Sequence, residues 1–550
     1  MALLDLGGDG DLDVVFTQGL ARLADVVTGP GTVPEVYLND GTGHFGRTTG
    51  PMVRGWWTGL ASGDFDNDGD TDVVCAGYGS LALWEQRNGG LLEFPQAFAG
   101  GLMNPDHDPP GVWIFPGKER ELGQIPWWST SVAFLDADLD GNLDLYVGQY
   151  LELDPLDPPK GELGQGALAI PCWWKGLEVF CGPRGLRPQP DRVLRGTGVG
   201  LFHDVTDTWL PDHEPGFTLA LAPFDADFDG DTDLYVANDS VANLMLINEI
   251  TGERGAFVDQ GLIAGVAVNP DGLAEAGMGV AVGDVDRDGR FDFAVTNFSD
   301  EPTQLYFGAA RGFQNQSYRI GLAHETRRLL SWSAHLVDFD GDGWLELFTT
   351  NGHVFPQADE PGTGTRYGQA DTLWRLGPLS RVERRWPTAR DSILLPQLGT
   401  RGAAVGDVDG DGAPDLVLVR IDGPCALGIN RLGPDAHRLV VRCVGDPDTP
   451  GPKESGGRRS PADAKGAKVI VVLAPEAGDE YALLGEVQTC RGFQSASSDR
   501  LHFGLGDFEE YADLKVLWPS GRVDELGPGR ADRTLVIREG RGIVSAEALP

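Results

Sequence analysis

Short apolar runs bounded by acidic or Gly-rich phrases fill the chain from residue 1 to about 432. Six of them read DVVCAG (72–77), DLYVGQY (144–150), DLYVAND (233–239), DFAVTNF (292–298), ELFTTNG (346–352) and DLVLVR (415–420). Runs this short and this rich in Val, Leu, Tyr and Phe predict strands. Each is preceded by a second such run: TGLASGD (58–64), TSVAFLD (130–136), LALAPFD (219–225), GVAVGD (279–284), SAHLVD (333–338) and AAVGD (403–407). A third phrase follows at variable distance, a strand, a Gly-rich turn and an aromatic. Its examples are VYLNDGTGHF (36–45), RVLRGTGVGLF (192–202), LMLINEITGERGAF (244–257) and LYFGAARGF (305–313). These predict hairpins. Weaker versions lie near 83–94, 373–386 and 426–431. Two strands plus a hairpin make a four-stranded unit that cannot bury both faces alone. Seven such units close most naturally into a ring. The expected fold is therefore all-β, a seven-bladed β-propeller over 1–432 and a small β-rich C-terminal domain over 433–550. Only Met1–Leu4 precede the first acidic phrase, so the first blade is expected to be truncated.

Between the first two strands of each unit stands one nine-residue phrase, D-x-D-x-D-G-x-x-D. It occurs at 64–72, 136–144, 225–233, 284–292, 338–346 and 407–415, and in degenerate form at 5–13. Columns 1, 3, 5 and 9 carry Asp64, Asp66, Asp68 and Asp72 in the second copy, and Asp136, Asp138, Asp140 and Asp144 in the third. The fourth and fifth copies supply Asp225, Asp227, Asp229 and Asp233, then Asp284, Asp286, Asp288 and Asp292. The sixth has Asp338, Asp340, Asp342 and Glu346, and the seventh Asp407, Asp409, Asp411 and Asp415. The first keeps Asp5, Asp9 and Asp13 but has Gly7 at column 3. Column 6 is always Gly, as a turn with positive φ requires. Column 7 is Asp11, Asp70, Asn142, Asp231, Arg290, Trp344 and Ala413, which share no side-chain chemistry. A position so tolerant is expected to offer its backbone carbonyl. Four carboxylates, one carbonyl and a water give the six or seven oxygens that Ca²⁺ prefers, so about one Ca²⁺ per loop is expected. Solvated Asp-Gly turns are the plain alternative, but four carboxylates in nine residues repel one another without a cation. An EF-hand is excluded, since it needs a Glu at position 12 and flanking helices.

Charge narrows the partners. Lys and Arg number 43 against 83 Asp and Glu, a net −40. That excludes a direct nucleic-acid binder, because phosphates must be met by basic residues. It also disfavours an anionic lipid surface. A 41% hydrophobic content with 14 Trp excludes an acidic disordered chain. No apolar run approaches a membrane span. No signal-peptide pattern is legible, and a secreted, cell-surface or periplasmic location is inferred from the need for abundant Ca²⁺. Six cysteines are too few for a disulfide framework. Cys172 and Cys181, in a Pro/Gly-rich insertion, are one candidate pair. Cys443 and Cys490 are another, with buried thiols as the alternative.

The residues resemble FG-GAP/VCBS repeats of integrin-α-like propellers, and most of all the cartilage acidic protein 1 family with its C-terminal ASPIC/UnbV domain. AKGAKVIVV (464–472), EVQTCRGFQSASSDRLHFGLG (486–506) and LKVLWPSGRVDEL (514–526) carry the C-terminal part of the resemblance. The Cys172–Cys181 segment with CGPRGL and the NGH at 351–353 add to it. The integrin-style Gly-Ala-Pro cage is missing, with only Phe45-Gly46 surviving in the first hairpin. The resemblance implies an extracellular adhesion or recognition scaffold for protein or glycan ligands.

No H-E-x-x-H, G-x-S-x-G, P-loop or dinucleotide fingerprint is present, so no catalytic residue is expected. The alternative is a secreted polysaccharide lyase or hydrolase using paired acids outside the loops. Five residues after column 9 stand Gln18, Gln149, Asn238, Asn297 and Asn351, a candidate amide-lined ligand face, or else caps on strand ends. Trp57, Trp128 and Trp332 enter the inner strands and either stack a ligand or pack between blades. Asn238, Asn297 and Asn315 fit glycosylation sequons. The C-terminal part, having no acidic loop, is expected to unfold independently of metal.

Overall fold

Five of the seven second strands of the repeat are buried along their whole length: Asp72–Gly77, Asp144–Gln149, Asp233–Asn238, Asp292–Val295 and Glu346–Asn351. Such strands are sandwiched between neighbouring sheets, which is why their sequences are apolar throughout and do not alternate. The computed structural model describes residues 1–17, 32–50, 54–87, 90–93, 112–113, 127–154, 172–183, 185–252, 254–377, 381–384, 398–421, 423–431, 433, 435–473 and 481–550.

Seven antiparallel sheets follow one another among these residues, each in chain order. The first is Ala2–Leu4, Asp13–Phe16, Glu35–Asn39 and Phe45–Thr48. The second begins Trp57–Gly63, Asp72–Gly77 and Ser80–Arg87, and the third begins Ser129–Leu135, Asp144–Gln149 and Arg192–Gly196. The fourth to seventh open with Thr218–Phe224, Val280–Gly283, Ser331–Val337 and Thr400–Gly406. One apolar core lies between each sheet and the next, for example Phe65, Phe134 and Phe202 between the second and third. The ring closes where Met1, Leu3, Leu12 and Val14 pack on Ala404, Val408 and Val417 of the seventh sheet. This is a β-propeller. The first sheet has four strands, and its innermost one, Ala2–Leu4, is three residues long and pairs with Asp13–Val15.

Near the axis the innermost strands approach so closely that only glycine fits. A Cβ on Gly279 would lie 1.9 Å from the Trp332 carbonyl oxygen, and one on Gly59 would lie 2.4 Å from that of Thr130.

The C-terminal segment builds two four-stranded sheets. One runs Leu501–Gly506, His437–Val444, Arg533–Arg538, Gly542–Ala548; the other runs Tyr481–Glu486, Lys468–Leu473, Asp513–Leu517, Val523–Glu525. Leu439, Val441, Val469, Val471, Leu514, Val516 and Trp518 fill the core between them. From this core residues 489–498 leave and enter the propeller axis, where they touch the innermost strand of all seven sheets. Ala496 N–H donates to Met1 O at 2.9 Å, Thr489 Oγ1 to Ser62 O at 2.8 Å, and Cys490 Sγ to Val132 O and Leu221 O at 3.5 and 3.3 Å. Gly492 N–H donates to Val280 O at 2.9 Å, Phe493 N–H to Ser333 Oγ at 3.1 Å, and Ser498 N–H to Val405 O at 3.0 Å. An axial plug bonded at seven places is expected to couple the unfolding of the C-terminal segment to that of the ring. That replaces the expectation of an independently melting C-terminal part with one of joint melting.

Candidate metal centres

The chain register dictates how each acidic phrase is held. Column 9 pairs across the sheet with the residue just before column 1, as Gly63 with Asp72 and Leu135 with Asp144. The nine residues therefore form one tight loop at a single end of each sheet. Column 6 has positive φ in all seven loops, from 81° at Gly289 to 98° at Gly69. So does column 4, including the non-glycine residues Asn67, Leu139, Phe228 and Arg287 at 55–64°. The sequence gives no hint of that second left-handed position except its glycines, Gly8, Gly341 and Gly410. Left-handed backbone costs a non-glycine residue of order 1–3 kcal/mol, so the loop shape is imposed by its surroundings.

Columns 1 and 5 have the same backbone job in every loop, and column 9 has one in every loop but the sixth, where Glu346 takes only the Phe339 amide. Column 1 accepts from the column 6 amide, as Asp64 Oδ2 does from Gly69 N–H at 2.9 Å and Asp284 Oδ2 from Gly289 N–H at 3.0 Å. Column 5 accepts from the column 7 amide, Asp288 from Arg290 at 2.9 Å, Asp342 from Trp344 at 3.0 Å and Asp411 from Ala413 at 2.9 Å. A backbone role explains why column 7 admits Arg, Trp and Ala. Column 9 bridges two elements. Asp233 takes the Ala226 amide within its loop and the Asn248 amide of the third strand, both at 2.8 Å.

Asn248 is a residue that sequence reasoning missed. Its side-chain amide donates to Ala137 O of the preceding sheet at 2.8 Å. Asn39 does the same to Val408 O and Asn430 to Phe339 O, both at 2.8 Å. The signal was there, an Asn ending the third strand in VYLN, LMLIN and GIN.

The carboxylates converge. Asp64, Asp66 and Asp72, Asp136, Asp138 and Asp144, Asp225, Asp227 and Asp229, and Asp284, Asp286 and Asp292 each bring ligand oxygens within 4.8 Å of one another. Buried oxygens without a hydrogen-bond partner remain in these loops, Oδ1 of Asp66, Asp138, Asp225 and Asp409 and Oε1 of Glu346. Burial first and neighbouring carboxylates second push Asp64 up to about 8. Burial, with Asp340 and Asp338 adding, pushes Glu346 to about 9. Desolvated, mutually repelling oxygens with free lone pairs and no nitrogen or sulfur donor suit a hard cation, Ca²⁺ above Zn²⁺. Some loops also hold a cation of the chain's own. Arg195 Nη2 lies 2.7 and 3.0 Å from Asp138 and Asp140, and Arg431 lies 2.6 and 2.9 Å from Asp409 and Asp411. Arg375 pairs with Asp342, and Lys468 from the C-terminal segment stands 2.6 Å from Asp225.

The amide row is not a ligand face. Gln149, Asn238, Asn297 and Asn351 are buried and bonded at their strand ends, as Asn238 Nδ2 to Ala242 O at 2.9 Å and Asn351 Nδ2 to Ala370 O at 2.8 Å. Gln18 lies outside the described residues. Trp57 is core, while Trp128 and Trp332 are half-buried beside other rings. Burial removes the sequons at Asn238 and Asn297 from any surface use; Asn315 is half-buried. Cys172 and Cys181 form a disulfide. Cys443 and Cys490 do not: one sits in the C-terminal core and the other in the axial plug, both as free thiols. The disulfide closes a hairpin of Cys172–Trp174 and Leu177–Val179 at the sheet ends opposite the loops, where Trp174 meets His353 at 4.6 Å and Lys175 pairs with Asp300 at 2.8 Å. His353 is fully buried and bonded to Ser299 Oγ at 3.0 Å, a structural residue.

Comparison with known proteins matches residues 457–544 to the ASPIC and UnbV model, and residues 5–75, 64–115 and 284–349 to FG-GAP-like repeats. Mouse cartilage acidic protein 1 is 28% identical over 514 residues, 84% of this chain and 71% of that protein. The human protein is 26% identical over 412 residues, 72% of this chain, which spans half the human protein's length. A solved Agrocybe aegerita lectin that recognises non-reducing terminal N-acetylglucosamine aligns over 70% of this chain and 78% of that one, at TM-score 0.39 and 12% identity. This chain is a β-propeller with matches to FG-GAP-like repeats and, in its C-terminal segment, to the ASPIC and UnbV model, and it is similar over most of its length to cartilage acidic protein 1.

Proposed function

We propose that the chain is a calcium-loaded recognition scaffold that works outside the cytosol, binds a protein ligand, and catalyses no reaction. The observation that carries the metal part is the convergence of buried, unpartnered carboxylate oxygens in the loops. The side chains that would hold Ca²⁺ are columns 1, 3, 5 and 9, with the carbonyl of column 7; bound there, the ion would replace carboxylate repulsion by coordination. The disulfide hairpin supports an oxidising compartment.

The position of the C-terminal segment supports the choice of ligand face. It bonds to six of the seven loops, for example Arg459 N–H to Leu139 O at 2.9 Å and Gly506 N–H to Gly341 O at 2.8 Å. The opposite face is left for a partner. There the disulfide hairpin exposes Trp173 at 63% and Phe180 at 60%, the aromatic type enriched at interface centres. Calorimetry on protein freed of divalent ions should show several Ca²⁺ sites per chain, and no metal uptake would end the calcium reading. A protein array probed with wild type and Trp173→Ala/Phe180→Ala should lose its hits in the double variant. Glycan-only hits, or lyase or hydrolase turnover on polysaccharides, would replace the protein-scaffold reading.

A further inference from the structure

A cavity of about 100 Å³ lies where the C-terminal segment meets the mouth of the propeller axis, against the fourth to seventh sheets. Three arginines line it, Arg287, Arg491 and Arg500. Their bonds go to backbone carbonyls: Arg287 Nε to Gly343 O at 3.0 Å, Arg491 Nη2 to Glu486 O at 2.9 Å, and Arg500 Nη2 to Gly10 O at 2.5 Å. Among the described residues none of the three has a carboxylate oxygen within 4.0 Å. In a chain of 83 acidic and 43 basic residues that is unexpected. A guanidinium stays charged; all three are half-buried, Arg287 lies over the Trp344 ring at 3.7 Å, and Glu486 acts on Arg491 only through space.

The acids on the same wall are engaged elsewhere. Asp284 accepts from Gly289 N–H and Asp338 from Gly343 N–H, at 3.0 and 2.6 Å, within their own loops. Glu486 accepts from Gln488 Nε2 at 3.1 Å. A cation held in the fifth and sixth loops would lower the repulsion from Asp284 and Asp338 further.

A second observation specifies the ligand. His502 also lines the cavity, and its Nδ1 lies 3.2 Å from Gly412 O, so that nitrogen carries the hydrogen. Its Nε2 is then an acceptor, and it is buried without a hydrogen-bond partner. Burial holds the ring neutral, with its pKa lowered to about 4.

We propose that this cavity binds one small oxyanion that also carries an O–H, hydrogen phosphate being the simplest, with Arg491 donating to the oxyanion and His502 Nε2 accepting the O–H. The planar guanidinium fork matches phosphate oxygens. A water takes about 30 Å³ of liquid volume, so the space suits one such anion or about three waters.

The test is titration of the full chain with inorganic phosphate and with sulfate, at matched ionic strength and at calcium below the solubility limit of its phosphate. Phosphate should bind saturably at one site per chain. Sulfate, which has no O–H at neutral pH, should bind about tenfold or more weakly, because Nε2 is then left unpaired. Arg491→Lys should weaken phosphate by about tenfold or more, since an ammonium lacks the fork. His502→Asn keeps a donor for Gly412 O and should erase the preference over sulfate. Equal heats from the two anions, or phosphate affinity unchanged in Arg491→Lys, overturns the proposal. Should either variant fail to fold, the wild-type phosphate-to-sulfate comparison decides alone.

Discussion

Single carboxylates in the loops differ in what replaces them. Asp288 is column 5 of the fifth loop; in Asp288→Ala the Arg290 amide loses its acceptor and the proposed calcium site would lose a carboxylate. Metal analysis should find one Ca²⁺ fewer per chain, with the other loops unaffected. In the seventh loop the guanidinium of Arg431 sits on Asp409 and Asp411, where it would compete with a divalent ion for the same charge. Arg431→Gln should tighten that site, by about tenfold for each 1.4 kcal/mol of repulsion removed, as read by calcium calorimetry. Weakening would mean that the arginine organises the loop and does not compete. Asn248→Ala leaves the Ala137 carbonyl without its donor across the sheet boundary, and chemical denaturation should register a loss of about 1–3 kcal/mol.

At the scale of the element, nine-residue loops put buried acids at the end of every sheet, and their protonation follows. Without divalent ions, burial raises Asp72 to about 9, Asp233 to about 9 and Asp292 to about 8, although two backbone amides lower each in part. An acid whose folded pKa exceeds its unfolded value binds more protons when folded, so stability falls as pH rises toward the folded value. The buried neutral histidines, His335 at about 3 and His353 at about 4, act oppositely but only below the ordinary histidine range near 6.5. Between pH 6.5 and 9, therefore, the metal-free protein should melt progressively lower, while the Ca²⁺-loaded protein melts at a constant temperature. A flat metal-free profile would show that the loop acids are already ionised and compensated. The loops were legible as a repeated phrase, and so were their flanking strands. Their second left-handed residue was not, because Leu139 and Phe228 carry no local preference for it.

The whole molecule behaves as a ring with a stopper. Residues 489–498 bond to every innermost strand, and Gly492, at φ +83°, has no room for a side chain: its Cβ would stand 2.2 Å from Ser333 Oγ. Gly492→Ala should lower the melting temperature of the propeller and of the C-terminal segment together, in one calorimetric transition. Two transitions of which only one moves would mean that the plug is a passive tenant. The same coupling reverses what the sequence suggested about chelation. Lys468 on Asp225 and Asp463 accepting the Asp64 amide at 3.1 Å tie the C-terminal segment to the loops, so EDTA should lower both parts at once. Each site at hundredfold excess of ion over Kd contributes about 2.7 kcal/mol. Several together rival the roughly 5–15 kcal/mol of a domain's stability.

By itself the sequence determined the repeat, the loops, their glycines and the strands on either side, because each is a local pattern whose physics acts within a few residues; it offered the Cys172–Cys181 bridge as one of two candidate pairs. Only tertiary structure decided what depends on distance along the chain. Ala496 beside Ala2, Cys490 in the axis far from Cys443, and Asn39 reaching Val408 are contacts between segments with no shared sequence signal. The amides at fixed offset show the limit most directly. Equivalent positions on equivalent strands were correctly placed at one end of the ring, but whether that end faces solvent or a neighbour is a property of packing. Packing buried them.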